Sequence, residues 1–290
     1  MRLSEPPQKV ATLLVSCADQ RGIVAAIAAA IAGAGCNILD ADQHTDPQAD
    51  MFFQRIRFDV SHLGVDPAEA ERAISEVSKR FGMQTSLSYS DRPKRVALFV
   101  SKYDHCLVDL LWRSRAGEFR AEFPLVISNH PDLAETVRGF GARFEHVPIN
   151  SANKAEQEQK ELALLRERAV DLVVLARYMQ VLSADFIDRV GVPVINIHHS
   201  FLPAFIGGKP YHQAYERGVK LIGATAHLVT SQLDEGPIIE QDVVRCSHRD
   251  LVSDLVRKGR DLEKMVLARA VRHHLEDRVL QYGNKTVVFD

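Results

Sequence analysis

Long apolar runs are missing from this chain. None of its 290 residues falls in a stretch approaching the ~20 apolar positions that cross a bilayer, and the nearest candidate is broken by Gly33 and Gly35. Residues 1–7 have no apolar targeting core, so no secretory signal is expected. A surplus of one charge is missing too. The 36 basic and 38 acidic side chains leave a net charge of −2, which excludes nucleic-acid binding through a broad positive field. Cysteine is sparse: Cys17, Cys36, Cys106 and Cys246 show neither CxxC spacing nor a disulfide rhythm, and a cytoplasmic location is the expectation. What is present is a hydrophobic share of 46% and a charged share of 26%, enough apolar side chain to bury a core and to exclude wholesale disorder. Single cores stop growing at ~250–300 residues, so two domains are expected.

Periodicity divides the first 89 residues in a definite order. Residues 10–16 form a short apolar run fit for a buried strand. Asp19-Gln20-Arg21-Gly22 then reads as a turn into a helix carrying Val24, Ile27, Ala28 and Ile31. Residues 37–43 can form a second strand. In residues 51–60, Phe52, Ile56, Phe58 and Val60 share one face and Arg55, Arg57 and Asp59 the other, which predicts a half-buried strand. Ala70, Ile74, Val77 and Phe81 mark a second helix, and Met83, Thr85, Leu87 and Tyr89 a last strand. The order βαββαβ predicts a ferredoxin-like split βαβ fold.

The stretch Asp19-Gln20-Arg21-Gly22-Ile23-Val24 resembles the start of an ACT domain. Glycine at the first helical turn would let a ligand carboxylate approach the free N–H groups at the positive helix end. The resemblance implies a small amino-acid effector near Asp19, Gly22 and Ile23, and edge-to-edge pairing into a homo-oligomer, dimer or tetramer. The alternative is that Gly22 only makes the turn and the module serves assembly. Residues 90–95, polar and carrying Pro93, read as the linker, giving domains 1–89 and 96–290.

From Val96 onward, continuous apolar runs at 96–100, 125–127, 172–175, 192–197 and 221–225 alternate with helical patterns at 107–112, 133–137, 154–168 and 184–189. Continuous runs suit strands covered on both faces, so the layout predicts a doubly wound, mostly parallel α/β sheet. Leu251, Leu255, Leu262, Met265 and Val266 mark a long closing helix. In such sheets ligands sit beyond the carboxyl ends of the strands. The loop after the first of these strands reads Ser101-Lys102-Tyr103-Asp104-His105 and has no glycine, so neither a dinucleotide fingerprint nor a P-loop is present and NAD, FAD and ATP are not expected.

The densest polar constellation is Asn196-Ile197-His198-His199-Ser200-Phe201-Leu202-Pro203 at a strand end. Alternation puts Asn196 and His198 on one face and turns His199 away, as a packed histidine. Downstream, Ser231-Gln232-Leu233-Asp234-Glu235-Gly236-Pro237 offers a carboxylate in a tight turn. An amide donor, an imidazole and a carboxylate at one end of a sheet fit acyl-group chemistry, with the donors holding a developing oxyanion and the carboxylate orienting the imidazole or a water.

Asn196-Ile197-His198, with Ser200, Leu202-Pro203 and Asp234-Glu235-Gly236-Pro237, resembles the folate-dependent formyltransferase domain, a Rossmann-like fold whose best-known member is glycinamide ribonucleotide formyltransferase. Preceded by the ACT-like module, and with residues 176–183 and 197–205 matching as well, the whole chain resembles the formyltetrahydrofolate deformylases. The resemblance implies hydrolysis of 10-formyltetrahydrofolate to formate and tetrahydrofolate, with formate supplied to purine biosynthesis and the one-carbon pool kept in balance. It implies Asn196, His198 and Asp234 as catalytic residues, and Arg177, Tyr178, Met179, Gln180, Leu182, Val229 and Thr230 around the pterin. It implies no cofactor beyond the folate substrate, and glycine or methionine as effector. Lys209 stands where many deformylases have asparagine. Transferases hold the acceptor phosphate with a glycine-rich loop after the first strand; its absence here favours water as nucleophile, although Lys102 or another basic residue could bind a different anion.

Other classes stay open on the sequence alone: a folate-dependent formyltransferase to a small amine acceptor, and an amino-acid sensor without catalysis. His198, His199, His212 and His227 lack the spacing of a zinc site, and no metal is expected. Lys154 is either a solvated helix charge or a cation for the folate glutamate tail. Gly207-Gly208 is a loop hinge or a turn. His273-His274 is expected at the surface.

Overall fold

The computed structural model describes residues 9–61, 66–204 and 210–290. Gly207, Gly208 and Lys209 lie outside the described residues. The chain divides into two compact units, residues 1–93 with 277–282 and 287–290, and residues 94–276 with 283–286.

The first unit runs β1 (Val10–Ala18), α1 (Ile23–Gly33), β2 (Asn37–Asp46), β3 (Met51–Asp59), α2 (Pro67–Phe81), β4 (Gln84–Tyr89), the expected βαββαβ order. Its sheet has the order β2-β3-β1-β4 and is antiparallel throughout. Gly22 precedes α1 with φ 91°, a left-handed conformation that favours glycine. The stripe that α1 buries is Ile23, Ile27 and Ile31, while Val24, expected on it, is 42% exposed. Residues four apart drift by 40° per step, so a 23/27/31 stripe and residue 24 diverge by about one residue's rotation of ~100°. Asp66 caps α2 by accepting from the Ala68 amide at 2.9 Å, and Gly82 closes it in a left-handed turn.

The expected half-buried strand is buried on both faces. Phe52, Ile56 and Phe58 pack with Leu13, Val15, Ile27, Ile31 and Ile74 on the helix side. On the other face Phe53 and Leu14 pack with Phe289, Leu280 and Tyr282 from the chain's C-terminal end. Arg55 is buried there too, its Nε donating to the Asp277 carbonyl at 2.9 Å. The span 96–290 expected for the second domain therefore includes a C-terminal segment that completes the first unit.

The second unit contains β5 (Lys94–Val100), α3 (His105–Arg115), β6 (Ala121–Ser128), α4 (Ala134–Gly139), β7 (Arg143–His146), α5 (Lys154–Glu167), β8 (Leu172–Leu175), α6 (Ala184–Val190), β9 (Val194–His198), α7 (Pro210–Glu216), β10 (Leu221–Leu228), β11 (Ile238–Arg245) and α8 (Val252–Leu275). Lys94 and Arg95, expected in the linker, open β5 and pair with Ala121 and Glu122. A short pair, β12 (Val279–Tyr282) and β13 (Lys285–Val288), ends the chain. The main sheet has the order β11-β10-β9-β8-β5-β6-β7. β5 to β9 are parallel, and β10 runs antiparallel to both β9 and β11. The fold is thus α/β, a ferredoxin-like module followed by a doubly wound, mostly parallel sheet. Order reverses between β5 and β8, which opens a crevice beyond their carboxyl ends.

Candidate active site

β9 is buried and holds Asn196 and His198 on one face at its carboxyl end. Because β10 runs antiparallel beside it, His227 pairs with Asn196 and Thr225 with His198. The segment leaving β9 is tied down by Thr225, whose hydroxyl donates to the Ser200 carbonyl at 2.9 Å and accepts from the Leu202 amide at 3.0 Å.

Asp234 reaches this face from the turn between β10 and β11. It adopts φ 57°, and Gly236 permits the turn to press against β10: a Cβ at Gly236 would lie 1.7 Å from the Leu228 carbonyl oxygen. No side chain fits there, which explains the glycine in Asp234-Glu235-Gly236-Pro237. The turn is closed by the Leu228 amide donating to the Pro237 carbonyl at 2.8 Å.

Around Asp234 the polar atoms interlock. His198 Nδ1 lies 3.2 Å from Asp234 Oδ2, and His227 Nε2 lies 3.6 Å from Oδ1. The hydrogen bond from His198 holds the Asp234 carboxyl well below the usual carboxylate range, against the opposing effect of burial. His227 Nδ1 donates to the Leu228 carbonyl at 2.9 Å, so its neutral form accepts at Nε2 from Asn196 Nδ2, 3.2 Å away. That bond fixes which way the Asn196 amide points and leaves its second N–H for a ligand. His198 Nε2 is buried and, among the described residues, makes no hydrogen bond. A buried polar atom without a partner is costly, so its place beside a cavity marks where a ligand atom belongs.

The cavity is about 290 Å³ and is lined by Asn196, His198 and Asp234 together with Arg177, Tyr178, Met179, Gln180, Leu182, Val229 and Thr230. All seven residues expected around the pterin therefore share one cavity with the expected catalytic three. Tyr178 is held from behind, its hydroxyl donating to Glu161 Oε1 at 3.0 Å and its ring packing edge-on against Phe99. Lys154, expected either as a solvated helix charge or as a cation for the folate tail, donates to the Val181 carbonyl at 2.5 Å and so braces the cavity's wall segment.

Residues 94–271 match the formyl transferase family model and residues 11–80 the ACT domain model. The formyltetrahydrofolate deformylase of Synechocystis is 57% identical over 280 residues, covering 96% of this chain and 98% of that protein. That of Bacillus subtilis is 50% identical, covering 96% and 93%. The chain belongs to the formyltetrahydrofolate deformylase family. Among solved structures, the deformylase of Pseudomonas syringae superposes with a TM-score of 0.95 at 45% identity, covering 99% of this chain and 96% of that one. Glycinamide ribonucleotide transformylase 1 of Symbiobacterium toebii superposes at 0.65 with 30% identity, covering 71% of this chain and 98% of that one.

Within this deformylase fold, His227, which the resemblance places beside the pterin with Val229 and Thr230, also meets Asn196 at 3.2 Å and Asp234 at 3.6 Å. The signal for those contacts was the pairing of β10 with β9, which a strand ending at residue 225 hides. His199 also differs from expectation. Its ring centroid lies 5.2 Å from that of His198 and it lines the cavity. β9 ends at His198, so strand alternation no longer governs the next residue. Burial, then the Arg177 charge, pushes His199 down to about 4, which keeps it neutral at physiological pH. His273, expected at the surface, is partly buried, with Nε2 3.7 Å from Glu240.

Of the effector residues, Gly22 and the backbone of Ile23 stand at the α1 N-terminus with Asp19 exposed nearby, whereas the Ile23 side chain is buried in the core. Among the described residues one group could present metal ligands, His105, Cys106 and Glu263, with ligand atoms within 4.8 Å. Glu263 is committed elsewhere, however. It accepts from Tyr211 at 2.5 Å, lies 2.8 Å from His105 Nε2, and is 3.4 Å from Arg177 Nε. A guanidinium on the same carboxylate opposes a cation there.

Proposed function

We propose that the chain hydrolyses 10-formyltetrahydrofolate to formate and tetrahydrofolate at the cluster of Asn196, His198 and Asp234. The observation that carries this is His198, whose Nδ1 meets Asp234 at 3.2 Å while its buried Nε2 has no partner among the described residues. Water attacks the formyl carbon and its oxygen bonds there. The carbonyl oxygen gathers negative charge and accepts from Asn196 Nδ2 and from His198 protonated at Nε2. Asp234 stabilises that imidazolium and orients or deprotonates the water. The carbon–nitrogen bond then breaks, N10 takes a proton, and formate departs. The chemistry as written needs no cofactor beyond the folate substrate. The apolar wall of Tyr178, Met179, Leu182 and Val229 would take the pterin.

Water is the favoured nucleophile because the loop after β5 carries Tyr103 rather than a glycine cradle, and the Arg177 and Arg260 guanidiniums lie 5.2 and 5.6 Å from its ring centre. The reaction would supply formate to purine biosynthesis and balance the one-carbon pool. The first unit would bind glycine or methionine at the α1 N-terminus near Gly22 and pair through its exposed edges into a dimer or tetramer. The scatter of four cysteines without paired spacing supports a cytoplasmic setting.

Purified protein incubated with 10-formyltetrahydrofolate alone should release formate and tetrahydrofolate in equal amounts. Turnover appearing only when an amine is added would overturn hydrolysis.

A further inference from the structure

A second cavity of about 280 Å³ lies in the second unit, walled by Tyr103 and His105 after β5, Arg177 after β8, Tyr211 on α7, and Arg260 and Glu263 on α8. It opens at the carboxyl ends of β5 and β8, where strand order reverses and open α/β sheets take their ligands. Arg177, Met179 and His199 line both cavities, so the two abut. The hydrolysis derived above uses only the first.

The second cavity is built, not incidental. Glu263 is buried, and its oxygens are held by Tyr211, His105 and Arg177. Gly259, one turn before it on α8, leaves the space that the Tyr211 hydroxyl fills; a Cβ there would lie 2.0 Å from that oxygen. The Arg177 side chain is 10% exposed, and among the described residues its buried Nε makes no hydrogen bond, only the 3.4 Å ion pair. Both arginines face the same Tyr103 ring. Two guanidiniums stand against one carboxylate, so the cavity carries a positive excess. Planar N–H groups of this kind match a carboxylate.

The neighbouring reaction makes such an ion in an unfavourable place. Formate would form beside Asp234, an ionised carboxylate, and like charges at close range repel. Arg177 is the cationic residue common to the two cavities. We propose that the second cavity is a binding site for a small monocarboxylate and receives the formate that hydrolysis releases. This rests on the hydrolytic reading. Tetrahydrofolate and formate then leave by different routes, and accumulated formate slows turnover by occupying its exit.

The test is binding of ¹³C-formate to the full-length protein without folate, followed by NMR line broadening at constant ionic strength, with acetate and inorganic phosphate as competitors. A ligand of three heavy atoms is expected to bind at about millimolar concentration. Arg260→Gln, an exposed substitution, should weaken formate about tenfold, and Arg260→Lys should restore part of the loss. In steady-state assays formate should lower kcat without raising KM for the folate. Arg260→Gln should turn over normally without added formate and resist that inhibition. Formate that fails to bind, binds Arg260→Gln equally well, or only raises KM overturns the site. Phosphate binding more tightly than formate overturns it as well, by marking a phosphoester pocket. A protein that binds formate yet releases none from 10-formyltetrahydrofolate refutes the hydrolytic reading instead.

Discussion

Asp234 and Glu263 are acidic residues of one sheet's rim, both held below the usual carboxylate range by basic partners, yet they are placed for opposite purposes. Asp234 touches two imidazoles, and one of these, His198, has its other nitrogen buried and without a partner among the described residues. Burial works against the Glu263 charge, but the His105 hydrogen bond, Arg177 and Tyr211 outweigh it. Glu263 is met by Tyr211, His105 and Arg177 together. The first carboxylate leaves hydrogen-bonding capacity for a visitor; the second spends its own on the fold. Glu161 supplies a third case. Fully buried and, among the described residues, with one donor, Tyr178, and no partner for Oε2, it is pushed by burial up to about 7. Burial alone therefore does not set the charge of a carboxylate here; the number of donors does.

The comparison breaks most sharply at Asp234. Asp234→Asn should lower kcat by about 10²–10³, the usual cost of losing one group that stabilises developing charge, with KM nearly unchanged and the circular dichroism spectrum retained. At Glu263 the same change should act on stability. Glu263→Gln strands the Arg177 guanidinium in a buried site, which typically costs about 3–5 kcal/mol. Trp112, the chain's single tryptophan, lies on α3 in the second unit, so a urea titration followed by its fluorescence reads that loss directly. Should Glu263→Gln instead reduce kcat at unchanged stability, the division between the two carboxylates is wrong.

Much of this was legible in the sequence because both signals are local. Apolar periodicity marked the elements of each unit, and Asn196-Ile197-His198 with Asp234-Glu235-Gly236-Pro237 marked the site. What stayed hidden depends on pairing between distant segments. The resemblance brings His227 to the pterin, but its contact with Asn196 follows only from the antiparallel register of β10 on β9, which nothing near residue 227 announces. The outer face of β3 looked solvated because Arg55, Arg57 and Asp59 are charged, but a segment more than 200 residues later covers Phe53 and gives Arg55 a carbonyl. Glu263 is equally silent: within a helix of mixed charge, nothing distinguishes a buried acid from a surface one until Tyr211, His105 and Arg177 are brought to it.

Glu161 sharpens the comparison through pH. Its carboxyl is raised from the ordinary 4.5 to about 7 in the fold, so between those values the native protein holds a proton that the unfolded chain has released. Stability therefore falls as pH rises through that window, by roughly 3 kcal/mol in all, and levels off above it. Glu161→Gln should flatten this decline in urea midpoints measured between pH 4.5 and 7. An unchanged slope would mean that Glu161 is ionised throughout and that one tyrosine donor suffices.

The smallest effect expected is at Tyr211, where the claim about donor number meets its most direct check. Tyr211→Phe removes one hydrogen bond to Glu263 and leaves the ring in its place beside Gly259. A hydrogen bond to a charged acceptor contributes about 1.5–3 kcal/mol, but Glu263 keeps His105 and Arg177, so the loss should fall near the lower end. Combined with His105→Asn, the cost should exceed the sum of the two single changes, since the remaining ion pair must then hold the carboxylate alone. Strict additivity would show that the partners of Glu263 act independently, and that its low pKa is owed to Arg177 rather than to the set.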